Sequence, residues 1–331
     1  MPRIVTLAGD GIGPEVMAQA ERVLRALPLN LELDPRPFGG GAIKELGTSL
    51  PDETLAAART ADAVLLAAIG LPEFDGKAVR PELGLLQLRK ELGVYANLRP
   101  AKGGPDGSID LLLVRELIGG IYFGKRGRHE NGTAYDILEY SAPEVERVAR
   151  TAFDLARARR RKLHSVDKAN VLETSRLWRE TVNEVAKDYP DVELHHIYVD
   201  NCALQLVLDT TQFDVMLTEN MFGDILSDEA AGFCGGLGLA ASASIGKPGT
   251  PGIFEPVHGS APDIAGKAIA NPAAMFFSTA LMLAYGLGEH EWASKLDAAV
   301  LQALDTVKTP DQGGSATTSD VGDAVLAALG L

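Results

Sequence analysis

The chain has 331 residues, 46% of them apolar and 23% charged, with a formal net charge of −14. That size can bury a large core and build two domains of ordinary size, and the composition is that of a globular protein. The acidic balance argues against nucleic acid or an anionic membrane surface as a partner, so an anionic ligand would need a local cluster of cations.

The first segment, Met1–Leu7, is too short and strand-like for a signal peptide. Ile4–Ala8 reads as a buried strand, Gly9-Asp10-Gly11-Ile12-Gly13 as a turn, and Pro14 as the first turn of a helix running to about Leu27. Asp62–Ile69 has a second buried-strand pattern. Leu111–Arg115, Gly120–Gly124 and Ala134–Tyr140 read as strands with little helix between them, and Ser141 opens a helix through about Arg160. Leu163–Val166, Leu194–Val199 and Phe213–Leu217 are further strands, each followed by a helical stretch. Ala273–Tyr285, the longest apolar run, is shorter than the ~20 residues a membrane span needs and reads as a buried helix. The alternation predicts an α/β fold with a largely parallel sheet. The strand-rich part from 111 to 140 breaks the rhythm and suits a second domain with a β arm for dimerisation. Cys202 and Cys234 sit in apolar surroundings and read as small core residues. Together these features point to the cytoplasm.

Two glycine-rich segments invite a nucleotide reading. Gly9-x-Gly11-x-Gly13 follows a strand, and Glu32 and Asp34 fall where an acidic ribose ligand would sit in a dinucleotide fingerprint. The third glycine is misplaced for that motif, and a tight strand-to-helix turn accounts for the run. Gly259–Ala268 has the wrong glycine spacing for a Walker loop and Ala268 where Ser or Thr is required, yet it can lay backbone N–H groups along a ligand.

The most informative segment is Asn220–Asp228. Asn220, Asp224 and Asp228 recur at i, i+4 and i+8, one face of a helix. Two carboxylates four residues apart repel by about 0.2–0.5 kcal/mol, and a hard cation such as Mg²⁺ or Mn²⁺ would relieve that. A solvated acidic face has the same spacing, but Met221, Phe222, Ile225 and Leu226 are expected to be buried around it. Gly223, a poor helix former, marks a place for close approach to the backbone. Arg89, Arg99 and Arg115 are expected near strand ends, where guanidinium forks suit carboxylates. Tyr122 follows Arg115 closely, Lys168 and Asn170 lie at a strand-to-helix junction, and Asp200 is expected to end a strand. His195 and His196 alternate across that strand, which argues against their being paired metal ligands.

Read in order, Gly9–Glu15, Val114–Leu117, Gly120–Gly124, Asp167–Leu172, Phe222–Asp228, Glu255–Lys267 and Ala270–Pro272 resemble the β-decarboxylating isocitrate/isopropylmalate dehydrogenases, and within them the branch acting on 3-isopropylmalate. The resemblance covers nearly the whole chain. It implies an α/β/α sandwich of two domains that is not a Rossmann fold: residues 1–97 with 238–331 for the cofactor, and 98–237 for substrate and dimerisation. It implies that Arg89, Arg99 and Arg115 clamp malate carboxylates and that Asp224 and Asp228 hold Mg²⁺ or Mn²⁺. Asp200 and Lys168 would come from the partner subunit of a homodimer with shared active sites. Tyr122 and Lys168 would be the catalytic acid and base. For NAD, it implies Ile12, Glu82, His258, Gly259, Ser260, Ala261, Asp263, Ile264 and Asn271, with Asp263 on the ribose hydroxyls and therefore repelling a 2′-phosphate.

The activity implied is NAD- and metal-dependent oxidative decarboxylation of (2R,3S)-3-isopropylmalate to 4-methyl-2-oxopentanoate and CO₂, in leucine synthesis. Leu85 and Leu86, with Val171 nearby, match the positions that meet the isopropyl group, where an unpaired carboxylate of isocitrate would be costly to bury. The alternative is a related enzyme acting on homoisocitrate, tartrate or malate. Lys102–Ser108 is shorter than the resemblance leads one to expect.

Overall fold

The computed structural model describes residues 1–104 and 107–331; of the Lys102–Ser108 stretch, Pro105 and Asp106 lie outside the described residues. The chain divides into two compact units, Met1–Val94 with Leu237–Leu331, and Tyr95–Gly236.

The chain begins in the first unit with β1 (Arg3–Gly9), α1 (Gly13–Ala26), β2 (Glu32–Pro35), α2 (Gly39–Leu46), α3 (Asp52–Arg59), β3 (Ala63–Ala68) and α4 (Pro81–Leu92). The second unit contains β4 (Ala96–Gly103), β5 (Ile109–Glu116), a 3₁₀ turn at Gly120–Tyr122, β6 (Arg126–Arg128), β7 (Ala134–Asp136), α5 (Ala142–Arg157), β8 (Lys162–Asp167), α6 (Glu173–Ala186), β9 (Glu193–Tyr198), α7 (Val199–Leu208), β10 (Val215–Thr218) and α8 (Asn220–Phe233). The chain then returns to the first unit with β11 (Ala241–Ile245), β12 (Gly252–Pro256), α9 (Ala273–Leu281), α10 (His290–Thr306) and α11 (Thr318–Leu329).

The strand order of the first unit is β2-β1-β3-β12-β11, parallel except for the last pair. That of the second is β4-β5-β10-β8-β9, parallel except for the first pair. Strands buried on both faces read as continuous apolar runs, and β3, Ala-Val-Leu-Leu-Ala-Ala, is buried at every position. The flanking helices show the helical period. On α1 the buried set is Val16, Met17, Ala20, Val23 and Leu24, and Pro14 lies in its first turn. A capping box of Ser141 and Glu144 starts α5, which buries Val145, Val148, Ala149, Ala152, Phe153 and Ala156. The apolar run from Ala273 is the buried α9, continued by a π-helical turn at Met282–Gly286. Among the described residues no helix is long and apolar enough to cross a membrane.

Two strand expectations need correction. Gly120–Gly124 does not form a strand: Gly120 has φ +71°, and the chain folds into the 3₁₀ turn instead. The strand expected over Ala134–Tyr140 is confined to β7, which pairs with β6 as a small two-stranded sheet.

One buried carboxylate organises the first unit. Asp10, 4% exposed, accepts hydrogen bonds from the N–H groups of Gly40 (2.9 Å), Gly41 (3.1 Å) and Gly70 (3.0 Å). Two of these are orphan donors at the start of α2, where a negative charge also meets the helix dipole favourably. Asp10→Ala leaves all three donors without that acceptor. It should destabilise the apoprotein by about 3 kcal/mol, read as a lower urea midpoint with unchanged slope.

Candidate functional site

In the second unit, β4 and β5 run antiparallel with Asn97 opposite Arg115. Side chains alternate along a strand, so Asn97, Arg99 and Arg115 share one face of the sheet. Helix α8 lies against β4 and β5 and brings Asn220, Asp224 and Asp228 to them. Arg115, with a side chain 4% exposed, donates from Nε (2.9 Å) and Nη2 (2.7 Å) to Asn220 Oδ1 and pairs with Asp224 through Nη1. Arg99 donates to Asn97 Oδ1 (2.8 Å), Ser227 Oγ (2.6 Å), Asp224 Oδ1 (3.2 Å) and Asp228 Oδ1 (3.2 Å). The 3₁₀ turn presents Tyr122, whose hydroxyl donates to Asp224 Oδ2 at 2.9 Å, and the Arg115 guanidinium lies 5.5 Å from the centre of its ring.

The electrostatics follow from this packing. Burial works against ionisation of Asp224, but Arg115 and Arg99 outweigh it and hold the carboxyl below its ordinary range. Asp228 moves the other way: its burial, reinforced by neighbouring Asp224 and opposed by Arg99, raises it. Burial and the Asp224 charge push the Tyr122 phenol up, so it keeps its proton at neutral pH. Two hard oxygen donors four residues apart, one disfavoured as an anion by the other, form a donor set that a divalent cation would suit. Among the described residues no group of three or more His, Cys, Asp or Glu is gathered for a metal.

Asp200 lies in the first turn of α7 instead of ending β9, and its carboxylate accepts a hydrogen bond from Lys168 Nζ at 2.5 Å. That bond lowers the Asp200 pKa. Lys168 and Asn170 occupy the loop between β8 and α6, and Val171 beside them is 62% exposed. Ile225, expected to be buried, is 61% exposed on α8, while Phe222 and Leu226 are buried. The helix therefore has an open apolar edge that the i, i+4 acid pattern gave no reason to expect.

In the first unit, Arg89 lies on α4 and not at a strand end, and its Nη2 donates to Glu255 of β12 at 2.7 Å. Among the described residues its buried Nε has no hydrogen-bond partner. On the same helix Leu85 is buried, Leu86 half-buried and Glu82 exposed. The glycine turn after β1 has a use other than pyrophosphate binding. The N–H of Ile12 donates to the Ser260 carbonyl at 2.8 Å. A Cβ on Gly11, whose φ is +58°, would come 2.8 Å from Ser260 Cβ. The glycine is there so that the loop from His258 can approach. Asp34, the other half of the fingerprint reading, is held by Arg36 at 2.8 Å.

That loop is held in place at several points. His258 Nδ1 donates to the Gly259 carbonyl (2.9 Å), while its buried Nε2 has no partner among the described residues, and burial lowers its pKa so that the ring stays neutral. The Ser260 hydroxyl donates to the Gly70 carbonyl. Ala261 and Ala268 hold positive φ values of 41° and 55°, an uncommon conformation for residues with a side chain. Asp263 is exposed and Ile264 half-buried. Asn271 anchors the end of the loop by donating to Asp311 (3.1 Å) and accepting from the Ala273 N–H (3.0 Å).

Comparison with known proteins bears on the whole chain. The profile of the isocitrate/isopropylmalate dehydrogenase family matches residues 3–325. The chain belongs to that family. It is 51% identical to the 3-isopropylmalate dehydrogenase of Novosphingobium aromaticivorans over 99% of this chain and 100% of that one. It is 50% identical to the enzyme of the same name from Lactococcus lactis subsp. lactis, over 98% of each chain. The crystal structure of isocitrate dehydrogenase from Methylococcus capsulatus superposes with a TM-score of 0.93 at 39% identity, covering 99% of both chains. The fold is accordingly the mixed α/β type of this dehydrogenase family.

Several site residues escape the sequence reading. Asn97 and Ser227 hold Arg99, and the hydrogen bond that Asn220 accepts from Arg115 is not foreseen. Glu116 and Glu219 are buried, 0% and 5% exposed, and both are raised chiefly by burial, Glu116 to about 7. A charged residue next to Arg115 inside an apolar strand was the available signal for Glu116; nothing local marks Tyr140, which bridges the two.

Gly223 supplies the close approach that the sequence suggests. A Cβ there would lie 2.7 Å from Arg115 Cγ and 2.8 Å from its Cβ, and would meet the Thr218 hydroxyl. In an ordinary helix interior, alanine gains up to about 1 kcal/mol over glycine. Here Gly223→Ala should destabilise by about 1–3 kcal/mol through overpacking, a reversal of sign that chemical denaturation reads directly.

Proposed function

We propose that this chain catalyses NAD- and divalent-metal-dependent oxidative decarboxylation of (2R,3S)-3-isopropylmalate to 4-methyl-2-oxopentanoate and CO₂, a step of leucine synthesis in the cytoplasm. The observation that carries the reading is the Arg99–Arg115–Tyr122–Asp224 cluster, found in a chain half identical along its length to 3-isopropylmalate dehydrogenases. In this reading residues 1–97 with 238–331 hold the nucleotide, and residues 98–237 hold the metal and make the dimer contact.

When bound, NAD⁺ accepts the hydride from C2 and Mg²⁺ or Mn²⁺ withdraws electron density from the substrate oxygens. Asp224 and Asp228 would hold the cation, with Asp200 supplied by a second copy of the chain. His258, Asp263 and Asn271, with Ile12, Glu82, Gly259, Ser260, Ala261 and Ile264, would hold the nucleotide; the unpartnered His258 Nε2 offers an acceptor there. Arg89, Arg99 and Arg115 would grip the two carboxylates, whose bidentate geometry fits guanidinium forks.

Lys168 would take the proton of the C2 hydroxyl as hydride leaves, producing a ketone β to a carboxylate. The C–C bond to that carboxylate would then break, its carbon leaving as CO₂, and the electron pair would remain as an enolate. Tyr122, kept protonated by burial and by Asp224, would deliver a proton to the enolate carbon and restore the ketone. The guanidiniums meanwhile stabilise the charge that develops. Leu85 and Leu86 would face the isopropyl group, with Val171 beside it. A methylene is worth only ~1–3 kcal/mol, so related malates are discriminated modestly.

The test is NADH formation with NAD⁺ and Mg²⁺ on 3-isopropylmalate, isocitrate, homoisocitrate, malate and tartrate, each with and without EDTA. Turnover strongest on 3-isopropylmalate and abolished by EDTA is expected. Preference for another acid would remove the role given to Leu85 and Leu86, and full activity in EDTA would remove the metal.

A further inference from the structure

Beyond the residues that would touch substrate lies a buried network built on Tyr140. Its hydroxyl accepts the Asn220 N–H at 3.0 Å and lies 3.3 Å from both Glu116 Oε2 and Glu219 Oε2. One hydroxyl carries one proton, so it can donate to one carboxyl at a time. Tyr140 therefore sits between two buried carboxyls, and burial favours the neutral form of each. The hydroxyl is the group that bridges the pair.

Each partner of Tyr140 leads to the site. Asn220, whose main chain Tyr140 holds, accepts two N–H bonds from Arg115 and donates to the carbonyls of Leu117 (3.1 Å) and Gly119 (3.0 Å). Glu116, next to Arg115 in β5, accepts from the N–H groups of Ile118 (3.1 Å) and Gly119 (2.9 Å) and pairs with Arg147 at 3.5 Å. Glu219 accepts from the Phe222 N–H at 3.0 Å and so caps α8, the helix of Asp224. The ring itself packs on Gly119 and Gly120, where a Cβ would come 2.8 Å from Cε1 and 2.8 Å from Cζ respectively, with Trp178 edge-on at 5.7 Å behind it. Gly120 opens the turn that presents Tyr122.

We propose that Tyr140 is a positioning residue of the dehydrogenase site, its hydroxyl fixing together the end of β5, the start of α8 and the Tyr122 turn, and through them Arg115 and Tyr122. The inference rests on the functional reading above. It assigns Tyr140 no contact with substrate: it acts through Asn220 and Glu116.

Tyr140→Phe keeps the ring packing and removes only the hydroxyl. The wild type is first assayed on the five acids, and the variant is then compared on whichever acid the wild type turns over. The KM for that acid should rise by about ten-fold or more and kcat should fall, while the KM for NAD⁺ stays within about two-fold. If Tyr140→Phe does not fold, Glu116→Gln is read in the same way. A folded variant with an unchanged KM for the acid, or one that merely melts earlier, overturns this proposal alone. Absence of wild-type turnover on every acid overturns the functional reading and this proposal with it.

Discussion

The second unit is arranged around one buried guanidinium. Arg115 sits at the end of β5 with a side chain only 4% exposed, where an unpaired charge would be prohibitively costly. Its neighbours answer that constraint: Asn220 takes two of its N–H groups, Asp224 takes another, and Gly223 gives up its side chain so that the arginine stem can lie against α8. Arg99 shares Asp224 Oδ1 with Arg115, and the Tyr122 hydroxyl takes Oδ2. Removing one partner of such a buried pair typically costs about 3–5 kcal/mol, so the cluster ties structure and chemistry to the same bonds. An arginine that must be paired internally is already oriented when an anionic ligand arrives, and little side-chain entropy remains to be lost.

The other charged pair has a different character. Lys168 and Asp200 meet at 2.5 Å with Asp200 67% exposed, on a loop and a helix start, flanked by the exposed apolar residues Val171, Leu204, Val207 and Leu208. Among the described residues Asp200 is not gathered with Asp224 and Asp228. An exposed ion pair contributes little to stability, so its placement asks for another explanation. Supply of Lys168 and Asp200 to the site of a second copy of the chain would provide one, and the apolar surroundings are what a subunit contact requires.

The sequence carried the architecture through periodicity. Continuous apolar runs marked β1, β3 and β5, and the starts of α1 and α5 were readable from Pro14 and from Ser141 with Glu144. The acid face of α8 was readable because three residues repeat at helical spacing. Gly223 aside, what failed to show was set by tertiary packing. Gly120–Gly124 looks extended until Gly120 is seen at positive φ beneath the Tyr140 ring. Ile225 looks like core because its apolar character says nothing about which face of α8 is covered. The Gly9–Gly13 run imitates a dinucleotide turn because close backbone approach demands glycine whatever the approaching group is, and here it is Ser260. Tyr140 and Glu219 are invisible locally, since their meaning lies in contacts with residues far away in the chain.

The central claim is that Asp224 of one chain works with Lys168 of another. It is tested most directly by mixing two inactive variants, Lys168→Ala and Asp224→Asn, after joint unfolding and refolding. Random pairing makes about half of the dimers mixed, each with one site intact, so turnover should return to about a quarter of the wild-type value. A refolded mixture no more active than either variant alone would contradict the shared site and place Lys168 with its own chain's Asp224.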